Sequence, residues 1–94
     1  MAVVVEVVVA RGTKAQFDEV DVAVSGAMER SGPPPGLMSH VVKPVGDGFV
    51  ISDVWRTAED FHPFNVVVLL PALDAAGLVA SDAVISSVWS FARP

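Results

Sequence analysis

Two residues with complementary chemistry interrupt a pair of apolar segments near the middle of the chain. The first segment, GLMSHVV, contains His40, and the second, FVISDVW, contains Asp53. A carboxylate beside an imidazole holds the ring in one tautomer and raises its basicity, so that the other ring nitrogen can accept a proton from a bound molecule. The two residues therefore predict acid–base chemistry, provided that the fold brings them together.

The segment between them, KPVGDGF, is a turn signal that predicts a β-hairpin. A two-residue turn at Gly46 and Asp47 places His40 directly opposite Asp53, whereas a turn at Asp47 and Gly48 places the two diagonally. In both registers their side chains share one face of the sheet. A three-residue loop with a bulge would separate them, and the sequence GDG permits such a loop.

Three further residues could line a cavity beside this pair. Strand alternation puts Trp55 and Met38 on the same face, where they would form apolar walls for a flat or aromatic substrate. Glu6 stands alone among the valines of the first predicted strand and could face the same cavity. Structural roles are the alternative: a satisfied polar pair in a core or subunit interface for His40 and Asp53, core packing for Trp55, and an interface position for Glu6.

Several other chemistries are disfavoured by composition and spacing. The chain has no cysteine, which excludes disulfides, thiolate nucleophiles and cysteine-bound metals. The serines near its end have no nucleophile elbow, and no glycine-rich loop leads into a lysine. His62 stands among acidic residues and is expected in solvent. We predict no metal and no cofactor. The weakest alternative is a metal-dependent isomerase or dioxygenase, in which Glu6 and Asp53 would complete a site with the two histidines, which are far apart in sequence.

The order of predicted elements is strand, helix, strand, strand, helix, strand. The strands are expected at residues 3–9, 37–42, 49–55 and 83–91, with helices beginning at Thr13 and Thr57. Thr13 and Gln16 match a capping box, Gly77 is the expected end of the second helix, and two prolines within that helix predict a kink or break. This order predicts a ferredoxin-like α+β fold with a four-stranded antiparallel sheet, as a single domain over residues 1–94.

Composition bears on the partners of this domain. The chain is 52% hydrophobic and has a formal net charge of -5, with scattered basic residues. Nucleic acid and anionic membrane surfaces are therefore not expected partners, and no segment approaches the roughly 20 apolar residues that span a bilayer. A cytoplasmic protein is the default. Both faces of the predicted sheet are apolar but helices cover only one, so a homodimer that packs sheet to sheet is expected.

The segment DVWRTAEDFHPF, residues 53–64, together with the element order resembles the dimeric α+β barrel superfamily. Within it the resemblance is to antibiotic biosynthesis monooxygenase-like proteins, which carry an acidic residue, any residue and a tryptophan at the end of the third strand, followed by a polar cap and an amphipathic helix. Those positions are Asp53, Trp55, Thr57 and Phe61 here. Oxygenases of that family often have a histidine about nine residues after the tryptophan, where this chain has Phe64, and nothing of that role passes to His62.

The residues and the resemblance together lead to one function hypothesis and one alternative. The hypothesis is a small cofactor-independent enzyme that acts on an apolar aromatic or polyketide-like molecule by proton abstraction; the resemblance adds monooxygenase-like chemistry, with cyclase or isomerase chemistry also open. His40 would be the acid–base group and Asp53 its orienting carboxylate. The alternative is a non-catalytic ligand-binding or structural homodimer, which a closed and filled interior would favour.

Overall fold

A computed structural model describes residues 1–92 as four strands and a set of helical segments. In chain order they are β1 Val3–Val9, α1 Lys14–Ser31, β2 Leu37–Val45, β3 Gly48–Trp55, α2 Ala58–Phe64, a π-helical turn Asn65–Leu69, α3 Leu70–Ala75 and β4 Val84–Ser87. The predicted order is confirmed. The last strand is shorter than predicted, with four residues where 83–91 were expected.

The strands form one antiparallel sheet in the order β2-β3-β1-β4. This is the order of a ferredoxin-like fold, so the predicted fold class is confirmed. In β1 the odd-numbered valines are buried and the even-numbered residues are more exposed, because alternate side chains point to opposite faces. The buried valines join Val20 and Val24 of α1 and Leu73 of α3 in one hydrophobic core, so the helices cover a single face.

Trp55, the last residue of β3, lies at the centre of this core. Its side chain is 0% exposed. The ring centroids of Phe61 and Phe64 lie 5.7 and 5.4 Å from that of Trp55. Aromatic pairs at such distances add to the stability from burial alone, so α2 is anchored to the end of β3 by these rings.

The helices begin and end where their capping residues indicate. The Thr13 hydroxyl accepts a hydrogen bond from the Gln16 backbone N–H, and the Gln16 side chain accepts one from the Thr13 backbone, so the predicted capping box of α1 is confirmed. At the end of α3, Gly77 has a φ of 76°, and the Leu78 N–H donates to the Leu73 carbonyl. This is a Schellman ending, with buried Leu73 and Leu78 as its hydrophobic contact.

The second helical region, residues 58–75, stays helical in spite of its two prolines. It passes through the π-helical turn, in which the Leu70 N–H donates to the Asn65 carbonyl. In a regular α-helix the Pro71 ring would clash with the Val67 carbonyl, and the wider turn avoids that clash. The predicted kink or break is therefore a local widening.

The β2–β3 turn brings the backbone of the hairpin very close to β1. Gly46 has a φ of 58° and Asp47 has no positive φ, which is the pattern of a type II′ turn. A Cβ atom on Gly48 would lie 1.8 Å from the Val9 carbonyl oxygen. Only glycine fits at position 48, so this residue sets how closely the hairpin and β1 approach.

The face of the sheet opposite the helices has no helix over it within the described chain, although Val50 on that face is buried. Val41 is 53% exposed there, and Val8 and Val84 are also exposed. Beyond β4, Trp89 is 100% exposed. Among the described residues, no helix combines the length and apolar character needed to cross a membrane.

Candidate functional site

His40 and Asp53 form a hydrogen-bonded pair at the centre of the hairpin. The observed register places His40 opposite Asp53 and Val45 opposite Gly48, which confirms the first of the two predicted turns. The His40 Nδ1 atom lies 2.6 Å from the Asp53 Oδ1 atom. Because an ionised carboxylate only accepts hydrogen bonds, Nδ1 carries the proton and Nε2 has the free lone pair in the neutral ring.

Trp55 holds the other oxygen of the same carboxylate. Its Nε1–H donates to Asp53 Oδ2 over 3.3 Å. Asp53 is only 2% exposed, and within residues 1–92 every buried polar side-chain atom has a hydrogen-bond partner. The carboxylate is thus fixed by one donor on each oxygen, and its partner His40 is held at a defined distance.

The pair faces the helix-covered side of the sheet. Its two residues line a small cavity, called here the dyad cavity, with α1, β3 and the second helical region; the apolar lining includes Phe17, Val20, Val24, Ile51, Phe64 and Leu69. The volume of the dyad cavity is about 20 Å³, close to the space of one water molecule. His40 lies at its edge with 41% of the side chain exposed.

The surroundings of His40 favour its charged form. The hydrogen bond to Asp53 raises the pKa of His40 above its ordinary 6.5, against an opposing effect of burial, and the charges of Asp53 and Asp21 raise it further. Asp21 belongs to α1 and lines the dyad cavity. In its neutral form, the imidazole presents an oriented Nε2 lone pair, and the raised pKa makes this nitrogen a stronger base for proton abstraction.

Asp21 is a site residue that the sequence prediction missed. None of the acidic residues of α1 was singled out from the sequence. However, Asp21 stands four residues after Phe17 and three before Val24, so helical spacing places all three on one face. That spacing was the available signal.

Glu6 does not belong to this site. It pairs with Ser52 in β3, next in sequence to Asp53, so the two carboxylates lie on opposite faces of the sheet. Glu6 is exposed on the uncovered face. The expectation that Glu6 faces the same cavity is wrong, and the metal site that needed Glu6 with Asp53 loses its geometry. Within residues 1–92, no three acidic or histidine side chains cluster closely enough to hold a metal ion.

Met38 lies at a bulge that the alternation argument did not foresee. The register shifts between Leu37 and Ser39, so Leu37 stands opposite Trp55 and packs against the core. Strict alternation from His40 is interrupted there, and the wall position predicted for Met38 is taken by Leu37. Met38 itself is half-buried.

Trp55 has no surface open to a ligand in this structure. Its complete burial makes it a core residue that positions Asp53, where a substrate wall was expected. His62 is exposed on α2, as predicted. Of the five predicted site residues, the structure therefore joins His40, Asp53 and Trp55 in one hydrogen-bonded chain and separates Glu6 from them.

Two larger cavities flank the dyad cavity. One, called here the proline groove, has a volume of about 430 Å³ and lies between the end of α1, the loop 33–35 and the second helical region; its lining includes Met28, Pro63, Phe64 and Val67. The other, the hairpin groove, has a volume of about 380 Å³ and lies between the start of α1 and the β2–β3 turn; its lining includes Phe17 and Val42. Either groove has the size of a small-molecule site.

Comparison with known proteins shows that this chain is similar to several solved structures in its fold. No protein-family model and no curated protein matches the chain. The solved structure of SnoaB, a cofactor-independent oxygenase from Streptomyces nogalater, is similar with a TM-score of 0.65 and 18% identity, over 96% of this chain and 94% of that chain.

Two candidate antibiotic biosynthesis monooxygenases of known structure are similar to a comparable degree. The protein from Nitrosomonas europaea has a TM-score of 0.62 and 19% identity, over 93% of this chain and 90% of that chain. The protein from Chloroflexus aurantiacus has a TM-score of 0.61 and 17% identity, with 97% of each chain covered. The chain thus has the antibiotic biosynthesis monooxygenase-like fold over nearly its whole length, as the resemblance in sequence predicted.

Proposed function

We propose that this protein is a cofactor-independent oxygenase in which His40 removes a proton from an apolar aromatic or polyketide-like substrate. The observation that carries the proposal is the 2.6 Å contact between His40 Nδ1 and Asp53 Oδ1. It leaves Nε2 as the basic nitrogen. The fold shared with SnoaB, which is described as a cofactor-independent oxygenase, supports oxygenase chemistry over other reactions that begin with proton removal.

Each member of the hydrogen-bonded chain has a separate task in this proposal. His40 Nε2 accepts the proton from a phenol or an activated CH₂ group, and Asp53 stabilises the resulting imidazolium. The anion left behind is electron-rich and reacts with O₂. Overall a CH₂ group becomes C=O, one oxygen atom is retained and the other leaves as water. Trp55 acts only through Asp53 and is therefore a positioning residue.

The test is oxygen uptake with a panel of polycyclic phenols and β-diketones, followed by product mass measurement. For any compound that is turned over, His40→Ala is expected to lower kcat by about 100-fold or more, the usual contribution of a general base. His62→Ala is the matched control, because His62 is exposed on α2. Unchanged turnover in His40→Ala, or an equal loss in His62→Ala, would contradict the proposal.

A non-catalytic ligand-binding role is the second candidate, and one observation favours it. The dyad cavity holds only about 20 Å³, which is far less than an aromatic substrate occupies. In this reading His40 and Asp53 are a satisfied polar pair that fixes the register of the hairpin. Saturable ligand binding with no oxygen uptake across the panel would select this role.

We also propose that the protein acts as a homodimer through the uncovered face of the sheet. Val8, Val41 and Val84 on that face and the fully exposed Trp89 are large apolar side chains in contact with water, and such exposed apolar surface marks interaction sites. A second copy offers the same valine-rich surface, which is the self-complementarity that a two-fold interface requires. The helix-covered dyad cavity would remain separate from this interface.

A further inference from the structure

Phe64 stands between the His40–Asp53 pair and the proline groove, a cavity of about 430 Å³. It is the one residue that lines both the dyad cavity and the proline groove. Its ring is tilted by 43° against that of Trp55, whose Nε1–H holds Asp53. The Phe64 side chain thus separates the buried, helix-facing side of the pair from the proline groove, while 41% of the His40 side chain is exposed to solvent.

We propose that Phe64 is a gate, and that the proline groove is the chamber that admits an apolar substrate to His40. This inference rests on the proposed function for its substrate class. With the Phe64 ring in place, the dyad cavity of about 20 Å³ cannot hold a substrate. When the ring rotates away, the groove of about 430 Å³ joins the dyad cavity and a flat ligand can reach Nε2.

The local backbone is suited to such a movement. Phe64 is the last residue of α2 and is followed directly by the π-helical turn Asn65–Leu69. The π-helical turn has wider and weaker hydrogen bonding than an α-helix, and such turns occur frequently at functional sites. The ring can therefore shift without dismantling the start of α2, where Thr57 and Asp60 form the cap.

The hairpin groove is the competing route. It meets the dyad cavity through Phe17 and Val42. The Phe17 ring, however, is held from two sides, by Phe49 at 5.4 Å between centroids and by the Lys14 ammonium at 5.7 Å. The hairpin groove is lined by Lys14, Lys43 and Asp47, whereas the charged side chains of the proline groove are Glu59 and Asp60. Prolines, Met28 and valines make up much of the remaining lining of the proline groove, which suits an uncharged apolar substrate.

The gate is tested by binding, without turnover, using the uncharged fluorophore N-phenyl-1-naphthylamine. We expect Phe64→Leu to bind the fluorophore about tenfold more tightly than the native protein if the open state is natively populated at about 10% or less. Bound fluorophore should then shift the His40 Hε1 proton signal in the NMR spectrum. Phe64→Met, which keeps most of the volume on a flexible chain, serves the same purpose if the leucine variant does not fold.

Phe61→Leu is the matched control, because Phe61 packs against the same Trp55 ring from α2 but lines neither cavity. It should leave both the affinity and the His40 signal as in the native protein. An unmoved His40 signal in both Phe64 variants, or a shift in Phe17→Leu alone, would overturn the gate. Failure of the proposed function is seen separately, as unchanged oxygen uptake in His40→Ala.

Discussion

Replacing Asp53 by asparagine tests the chemistry of the hydrogen-bonded chain directly. The carboxylate accepts one hydrogen bond on each oxygen, from His40 Nδ1–H and from Trp55 Nε1–H. The amide has one accepting oxygen and one donating NH₂ group. Since the indole can only donate, we expect the amide oxygen to stay with Trp55 and the NH₂ group to turn towards His40.

This arrangement reverses the effect of the residue 53 side chain on the pKa of His40. His40 must then present an unprotonated Nδ1 to the amide, so its proton moves to Nε2. The hydrogen bond that raises the pKa of His40 is replaced by one that favours the neutral ring, while burial still lowers the pKa. In Asp53→Asn the pKa of His40 should therefore fall, with the charge of Asp21 as the remaining influence that raises it. Nε2 loses its free lone pair, so turnover should also be lost without loss of the fold.

The cost in stability can be worked from the same contacts. Hydrogen bonds to a charged group are each worth about 1.5–3 kcal/mol and neutral ones about 0.5–1.5 kcal/mol. Exchanging two of the first kind for two of the second lowers the free energy of unfolding by about 2 kcal/mol, with the smaller share from His40, because 41% of its side chain is exposed and solvent screens the contact.

The loss of stability in Asp53→Asn should depend on pH, and the direction of that dependence follows from the raised pKa of His40. A raised pKa means that protonation of His40 stabilises the native fold fully below about 6.5 and that this stabilisation disappears as pH rises through the folded pKa. The groups responsible are Asp53 on β3 and Asp21 on α1. Asp53→Asn should therefore destabilise the protein more at pH 5.5 than at pH 8.

The measurement is a proton NMR titration of His40 in the native protein and in Asp53→Asn, with urea unfolding at the two pH values. If the pKa of His40 does not fall in Asp53→Asn, the carboxylate is not what raises it, and the assignment of Nε2 as the base fails with it.

Two further predictions concern the hairpin and the uncovered face. Gly48→Ala should cost about 4 kcal/mol or more in urea unfolding, because its Cβ would lie 1.8 Å from the Val9 carbonyl oxygen; Gly46→Ala, with open space but a φ of 58°, should cost only about 1–2 kcal/mol. Equal losses would show that the close approach relaxes at no cost. Val41→Lys should convert a dimer into a monomer in light scattering, while Val22→Lys on the exposed side of α1 should leave the mass unchanged. A native protein that is already monomeric would contradict the proposed interface.

The hairpin was predictable because its register depends on local sequence. Either two-residue turn puts His40 and Asp53 on one face of the hairpin, so their shared face followed from counting, and the observed turn at Gly46 and Asp47 sets them directly opposite each other. The placement of Glu6 did not follow, because β1 and β3 are joined by a long connection. No tight turn fixes which residue of β3 stands opposite Glu6. A shift of one residue in the pairing would move Glu6 to the other face of the sheet.

The other incorrect predictions, for Met38 and for the second helical region, have local causes that the amino-acid sequence does not clearly indicate. The bulge at Leu37 and Ser39 adds a residue to β2 without a glycine to mark it, so Met38 was placed by an alternation that breaks there. Pro63 and Pro71 correctly indicated an irregular helix. The same sequence pattern, however, is compatible with either a wider turn or a break in the helix. The resemblance in sequence, by contrast, identified the fold, since it depended on residues that anchor α2 to β3.

The contrast between the two tryptophans equips the chain with its own optical reporters. Trp55 is fully enclosed and bonded to Asp53, whereas Trp89 is fully in water. Emission from Trp55 should be shifted to the blue and shielded from collisional quenchers. In the monomer Trp89 should emit at longer wavelength and be quenched freely, and the proposed dimer should reduce that quenching. A Trp89→Phe variant would therefore report ligand arrival beside Asp53 by intrinsic fluorescence alone, and Trp55→Phe would report whatever comes to cover Trp89.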